Sequence, residues 1–148
     1  VRAWKISHSA AGNALVYPQF TKFKKSTGKL EFIVGTTDSE SSGNSVGAYK
    51  IDYLIASNCG DKALSVGEKS KLTLNKIIAS DSLIGIASKD SSVVDVHKAT
   101  FKSLDICLEA YKKKQEFDGG IINFSNMKCN YKKQDILYDK KSLISRQY

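Results

Sequence analysis

The sequence predicts an all-β fold, a parallel β-helix built from rungs of about 22 residues, and three observations carry that prediction. The first is a repeat. Ala63–Leu74 aligns with Gly85–Val96 at an offset of 22 residues (86 − 64 and 94 − 72). Apolar positions agree, Leu64 with Ile86, Leu72 with Val94, Leu74 with Val96 and Ile77 with Ala99, and so does the polar break, Gly67-Glu68-Lys69-Ser70 against Lys89-Asp90-Ser91-Ser92. A third copy starts at Cys107-Leu108-Glu109-Ala110, another 22 residues on (108 − 86). Periods in this range are the mark of stacked-repeat architectures. The second observation is period-2 alternation in short segments: Leu64-x-Val66, Leu72-x-Leu74, Ile84-x-Ile86 and Val94-x-Val96. Alternation of this kind puts one face of a strand in a core and the other in solvent. The third is what the rungs lack. They hold no long 3.6-period run for an α-helix, and the Leu-x-x-Leu-x-Leu-x-x-Asn pattern of leucine-rich repeats is missing.

The bulk properties fit one folded domain. The chain has 148 residues, 41% of them hydrophobic, enough to bury a core. Its formal net charge of +8 is compatible with an anionic partner, but no nucleic-acid recognition motif accompanies the charge, and nucleic acid is disfavoured. The cysteines are Cys59, Cys107 and Cys129; they form no C-x-x-C pair and no zinc spacing, so they are expected to be free, buried and to pack as small apolar residues. No apolar run reaches the length of a membrane span, and no signal peptide is visible. The chain lacks an initial Met and reads as a processed product or a fragment of a longer chain.

Residues 1–45 are the least regular and are expected to form an N-terminal cap, or a fragment of an upstream region. Ala14–Tyr17 and Leu30–Val34 read as strands, with Pro18 confining the first to an edge or an end. Lys22–Lys29 reads as a basic turn and Thr36–Ser45 as a polar loop. No copy of the repeat is recognisable there.

The β-helix is expected over residues 46–148. Tyr49–Ser57 resembles Leu72–Ser80, and the Ile-Ala-Ser triplet recurs at Ile55 and Ile78, an offset of 23 (78 − 55). Rungs follow at Lys62–Leu83 and Ile84–Asp105. The next carries an insertion: Val94 finds its equivalent at Ile122, an offset of 28 (122 − 94), which places about six extra residues within Tyr111–Gly120. Ile136–Asp139 opens a final partial rung, with Ser142–Ile144 as its second strand. Three inward ladders follow: Leu64, Ile86, Leu108 and Leu137; Leu74, Val96 and Phe124; Ala79, Phe101 and Cys129.

Gly60–Ser70, Ile84–Ser92 and Tyr111–Gly120 together resemble the right-handed parallel β-helix of pectin-lyase-like proteins, in particular the β-helical segment that accompanies CotH-type spore-coat-kinase-like domains of bacterial surface proteins. The resemblance covers residues 46–144. It implies a right-handed coil, a larger bacterial parent protein and a cell-surface or secreted location. No Gly-rich loop leads to a catalytic Lys and no His-Arg-Asp is present, so no kinase chemistry is expected from this chain. The pectin-lyase-like group often hosts polysaccharide lyases and hydrolases.

Candidate sites were weighed on that frame. Asp52, Asp61, Glu68, Asp90, Asp95 and Glu109 do not converge in sequence register as glycosidase carboxylates must. Glu68 and Asp90 occupy equivalent turns (90 − 68 = 22) and are the candidate calcium ligands, set against two solvated carboxylates neutralised by Lys69 and Lys89. No other cofactor is expected. His97 aligns with Asn75 and Ser125 at a strand end and is not expected to be catalytic; no catalytic residue is assigned. The insertion is the candidate ligand site: Tyr111 and Phe117 to stack on sugar rings, Lys112, Lys113 and Lys114 to meet anionic groups, set against a solvated charge run with Phe117 folded back as a cover. The function expected is a non-catalytic β-helix module for surface structure or for binding an acidic glycan or cell-surface polymer. The alternatives are a carbohydrate-active enzyme, a polysaccharide lyase or glycoside hydrolase, and a module that forms homo-oligomers end to end through its β-helix ends.

Overall fold

A computed structural model describes the backbone of residues 5–8, 21–24, 30–34 and 48–148, and the side chains from residue 51 onward. Among these residues all regular structure is β-strand. The strands are β1 (Lys5–His8), β2 (Thr21–Lys24), β3 (Leu30–Val34), β4 (Ala48–Ser57), β5 (Lys62–Gly67), β6 (Lys71–Lys89), β7 (Val93–Tyr111), β8 (Ile121–Tyr138) and β9 (Leu143–Arg146). Every pairing is parallel. The expected strand at Ala14–Tyr17 with Pro18, the loop at Thr36–Ser45 and the later part of the basic turn at Lys22–Lys29 lie outside the described residues.

The register carries the repeat. Leu72 pairs with Val94, Leu74 with Val96 and Ile77 with Ala99, an offset of 22 (94 − 72). Tyr49 pairs with Leu72 at 23 (72 − 49) and Val94 with Ile122 at 28 (122 − 94). Parallel stacking also reaches the region in which the sequence shows no repeat: β1 pairs with β3, β3 with β5 and β2 with β4.

Parallel pairing with tight connections forces the strands to curl. A straight strand of 19 residues, as in β6, would run roughly 60 Å. Three residues, Asp90-Ser91-Ser92, join it to β7, so Lys89 and Val93 lie at most about 14 Å apart. Yet Lys71 at the start of β6 pairs with Val93 at the start of β7. The chain therefore returns to its starting side within each strand. The short alternating segments expected from the sequence are thus parts of longer, bent strands, an all-β parallel arrangement compatible with a solenoid.

The bends are marked by non-glycine residues in the left-handed region. Asn58, Asp81 and Ser103 (φ 55°, 51° and 58°) recur at one corner. Glu68-Lys69 and Asp90-Ser91 recur at another, each pair with positive φ at both residues, closed by Ser70 N–H to Gly67 O (3.3 Å) and Ser92 N–H to Lys89 O (3.2 Å). Two positive-φ central residues define the tight type I′ turn, and Asp and Asn tolerate that region better than most residues.

The core is one cluster of buried side chains running from Ile51 to Phe124. Leu54, Leu64, Leu72, Leu74, Ile77, Ile86, Val94, Leu104, Leu108 and Ile122 are fully buried. Two expected ladders stand as read, Leu74–Val96–Phe124 and Ala79–Phe101–Cys129. The other is corrected at its end. Leu108 pairs with Ile136, whereas Leu137 pairs with Glu109 and is exposed. Ladder partners keep the 28-residue offset there (136 − 108), and Leu137 is one residue too far, which in a strand means the opposite face.

The cysteines are also corrected. Cys107 and Cys129 form a disulfide with a Cα–Cα distance of 6.2 Å, while Cys59 alone is free and buried. The two partners do not share a ladder. Cys129 stacks on Phe101, and Cys107 lies between Ile106 and Leu108 on the later stretch of β7. The bridge ties these two stretches together.

Candidate functional site

Along β6, β7 and β8 the alternation slips at one place. Leu74 and Ile77 are buried with Asn75 and Lys76 between them; Val96 and Ala99 enclose His97 and Lys98; Phe124 and Met127 enclose Ser125 and Asn126. Two consecutive outward residues cannot belong to one regular strand face, so the chain bends there. A cavity of about 600 Å³ lies at this bend.

Two polar rows line it. In one, Thr73, Asp95, Asn123 and Ser145 are paired in register from strand to strand. In the other, Asn75, His97, Ser125 and Gln147 each lie two residues further along the chain, with Asp52 level with Asn75. Of these nine residues all but Ser145 line the cavity itself. Side-chain hydrogen bonds link these residues, two of them between successive strands and one at the end of the last. Asn123 Nδ2 donates to Asp95 Oδ1 at 2.8 Å, Ser145 Oγ donates to Asn123 Oδ1 at 3.0 Å, and Gln147 Nε2 donates to Ser145 Oγ at 2.9 Å. The groove thus presents amide, hydroxyl and carboxylate groups, four of them linked, with Asp52, Asp95 and His97 on one surface.

The alignment of His97 with Asn75 and Ser125 expected from the repeat holds in the register, and Thr73 and Asp95 are likewise paired. The two rows form one groove that the repeat alone does not reveal: Asp52 and Asp95, expected not to converge, share its lining, and Asn123 and Gln147 are new to it. The signal was the repeated pair of polar residues between apolar ones, Asn75-Lys76, His97-Lys98 and Ser125-Asn126.

The insertion is built differently from an exposed aromatic and basic patch. Phe117 is buried, and Tyr111 is half-buried at the end of β7, paired with Lys89. Lys112 N–H donates to Asp139 Oδ2 (2.8 Å), and Lys113 and Lys114 N–H both donate to Asp90 Oδ1 (2.7 and 2.8 Å). The Lys114 ammonium pairs with Glu68, which holds its pKa above the ordinary lysine value. Glu68 and Asp90, the candidate calcium pair, are therefore both engaged by the loop, Glu68 by an ammonium and Asp90 by backbone N–H groups. Among the described residues no three His, Cys, Asp or Glu side chains gather as metal ligands. No helix among them is long and apolar enough to cross a membrane.

Elsewhere, Glu109 is half-buried and its carboxyl is pushed up by burial, a rise that Lys62 opposes and Asp61 reinforces. Burial likewise pushes up the Cys59 thiol, against a hydrogen bond with Ser82.

Comparison with known proteins yields no matching family model, no matching curated protein and no matching solved structure.

Proposed function

We propose that this chain is a right-handed parallel β-helix of the pectin-lyase-like kind, serving as a non-catalytic glycan-binding module at the surface of a bacterial cell within a larger protein. The handedness follows from the strong preference of parallel crossovers for the right-handed sense. The observation that carries the binding function is the polar groove. Its side-chain amides and hydroxyls come from successive strands, and Asp95, Asn123, Ser145 and Gln147 hold one another, so a hydroxyl-rich ligand meets donors and acceptors that are in part already ordered. Preorganisation of this sort lowers the entropy cost of binding. The Cys107–Cys129 bridge supports an oxidising, extracellular location, since stable disulfides are rare in reducing compartments. Ligand contact is assigned to the groove ahead of the insertion, because Phe117 is buried and Lys114 is paired.

A second reading has its own support. Asp52, Asp95 and His97 line the same groove, which is the residue set a carbohydrate-active enzyme would use. The binding reading is favoured because Asp95 is already the acceptor of the Asn123 amide. End-to-end association is supported by the later part of β8, which among the described residues pairs only with β7 and exposes Tyr131, Leu137 and Tyr138.

The test is oligosaccharide binding by the intact chain, by calorimetry, with Asn123→Ala and Asn75→Ala as groove variants. Binding weakened by both changes supports the module. Product release that disappears in Asp52→Asn or Asp95→Asn moves the assignment to an enzyme. A protein that binds no oligosaccharide but gains mass with concentration is an assembly module.

A further inference from the structure

Beside the groove lies a second basin of about 430 Å³, which shares His97 with it. Its charged side chains are Lys98 from β7, Lys128 from β8 and Arg146 from β9. Lys98 pairs in register with Asn126 and Thr100 with Lys128, so the two lysines are diagonal neighbours on adjacent strands. Sheet spacing puts their Cα atoms about 8 Å apart, close enough for both flexible ammonium groups to reach one small anion. Arg146 adds a planar donor fork on the next strand, its guanidinium 5.3 Å from the centre of the Tyr148 ring. No carboxylate lines the basin, and among the described residues none forms an ion pair with Lys98, Lys128 or Arg146.

We propose that this basin is a subsite for an anionic substituent of the glycan (carboxylate, sulfate or phosphate) whose neighbouring hydroxyls lie in the polar groove; the proposal rests on the groove being a saccharide site. Charge-assisted hydrogen bonds from three cations are the usual means of holding such a group. The adjoining groove selects the carrier. Asp52 and Asp95 would repel a continuous polyanion, and the groove lining contains no Phe, Tyr or Trp ring on which a base could stack. A nucleic acid fits poorly; an acidic sugar beside uncharged hydroxyls fits both halves. This moves the anion-binding role from Lys112, Lys113 and Lys114 to Lys98, Lys128 and Arg146.

The experiment compares the intact chain with a Lys98→Gln, Lys128→Gln, Arg146→Gln variant and with a Lys112→Gln, Lys113→Gln, Lys114→Gln variant. The probes are a hyaluronan oligosaccharide, a heparin oligosaccharide, a glycerol-phosphate polymer, a neutral β-glucan oligosaccharide and single-stranded DNA. Circular dichroism and the thermal midpoint establish that each variant is folded. The expected result is that at least one anionic glycan binds about tenfold or more tighter than the neutral one. The basin variant should lose that preference and keep its neutral binding, whereas the loop variant should keep both. Added salt should reduce the preference. Neutral binding with no anionic preference overturns the subsite alone. Loss of the preference in the loop variant instead, or tightest binding to DNA, also overturns it. Failure to bind any probe removes the groove reading together with the subsite.

Discussion

The carboxylate of Asp90, almost fully buried, accepts the backbone N–H of Lys113 at 2.7 Å. It accepts that of Lys114 with the same oxygen. One residue in a left-handed turn therefore anchors the start of the insertion that interrupts the repeat. The anchor is doubled by Asp139, whose carboxylate takes the N–H of Lys112 from the following rung.

Asp90→Ala removes two hydrogen bonds to a charged acceptor and places Ala at φ 54°. The expected cost is about 2–4 kcal/mol. Asp90→Asn keeps an acceptor and tolerates the backbone, so it should cost about 1 kcal/mol. Urea denaturation gives the energies, and hydrogen exchange should show the Lys113 and Lys114 amides losing protection first. Equal stability of Asp90→Ala and the parent chain would count against the anchor.

The disulfide closes a loop that contains the insertion, with a sequence separation of 22 residues. Loop-closure entropy gives about 3 kcal/mol. Cys129→Ser should lower the melting temperature by roughly 6–12 °C. Reductant should shift the parent chain by a similar amount and leave the variant unmoved. A reductant effect that persists in the variant would argue against this bridge.

Gly85 sits where two rungs approach closely. A Cβ there would lie 2.6 Å from the carbonyl oxygen of Cys107 and 2.8 Å from the Phe101 ring. Backbone cannot give way as a side-chain tip can, so Gly85→Ala should destabilise by about 1–3 kcal/mol. Phe101→Leu in the same chain should recover only the part due to the ring. A neutral Gly85→Ala variant would show the rungs to be more widely spaced.

Two carboxyl groups should titrate in opposite directions. Burial raises Asp139, but the N–H of Lys112, the Ser142 hydroxyl and the N–H of Lys141 outweigh it and hold the carboxyl below its ordinary value. Its contribution to stability is therefore present above about pH 3.9 and lost as pH falls through the folded value. Glu109 is raised by burial. Its contribution is full below about pH 4.3 and lost as pH rises through the folded value. Asp139 is exposed, so its effect is small. Carbon-detected NMR titration should find Asp139 ionising at lower pH than Glu109; the reverse order would refute both environments.

The strands were legible in the sequence because burial imposes alternation, and a stacked coil imposes it again at each rung. Leu74, Val96 and Phe124 could be aligned by eye, and the insertion could be located from the offset between Val94 and Ile122. The ladder through Leu108 is ambiguous at its last step, since Ile136 and Leu137 are both apolar and nothing in the sequence says which one faces inward.

By itself, then, the sequence determined the all-β class, the parallel register from Tyr49 to Phe124 and the place of the interruption. These are local or near-periodic properties, set by which side chains must leave water. Only the tertiary structure decided the Cys107–Cys129 bridge, the burial of Phe117, the capture of Lys114 by Glu68 and the meeting of Asp52, Asp95 and His97 in one groove. Each depends on how sharply the strand bends at its corners. The bend angle is set by left-handed residues such as Asp81 and Asp90 acting with the packing inside the coil, and a repeat period does not record it.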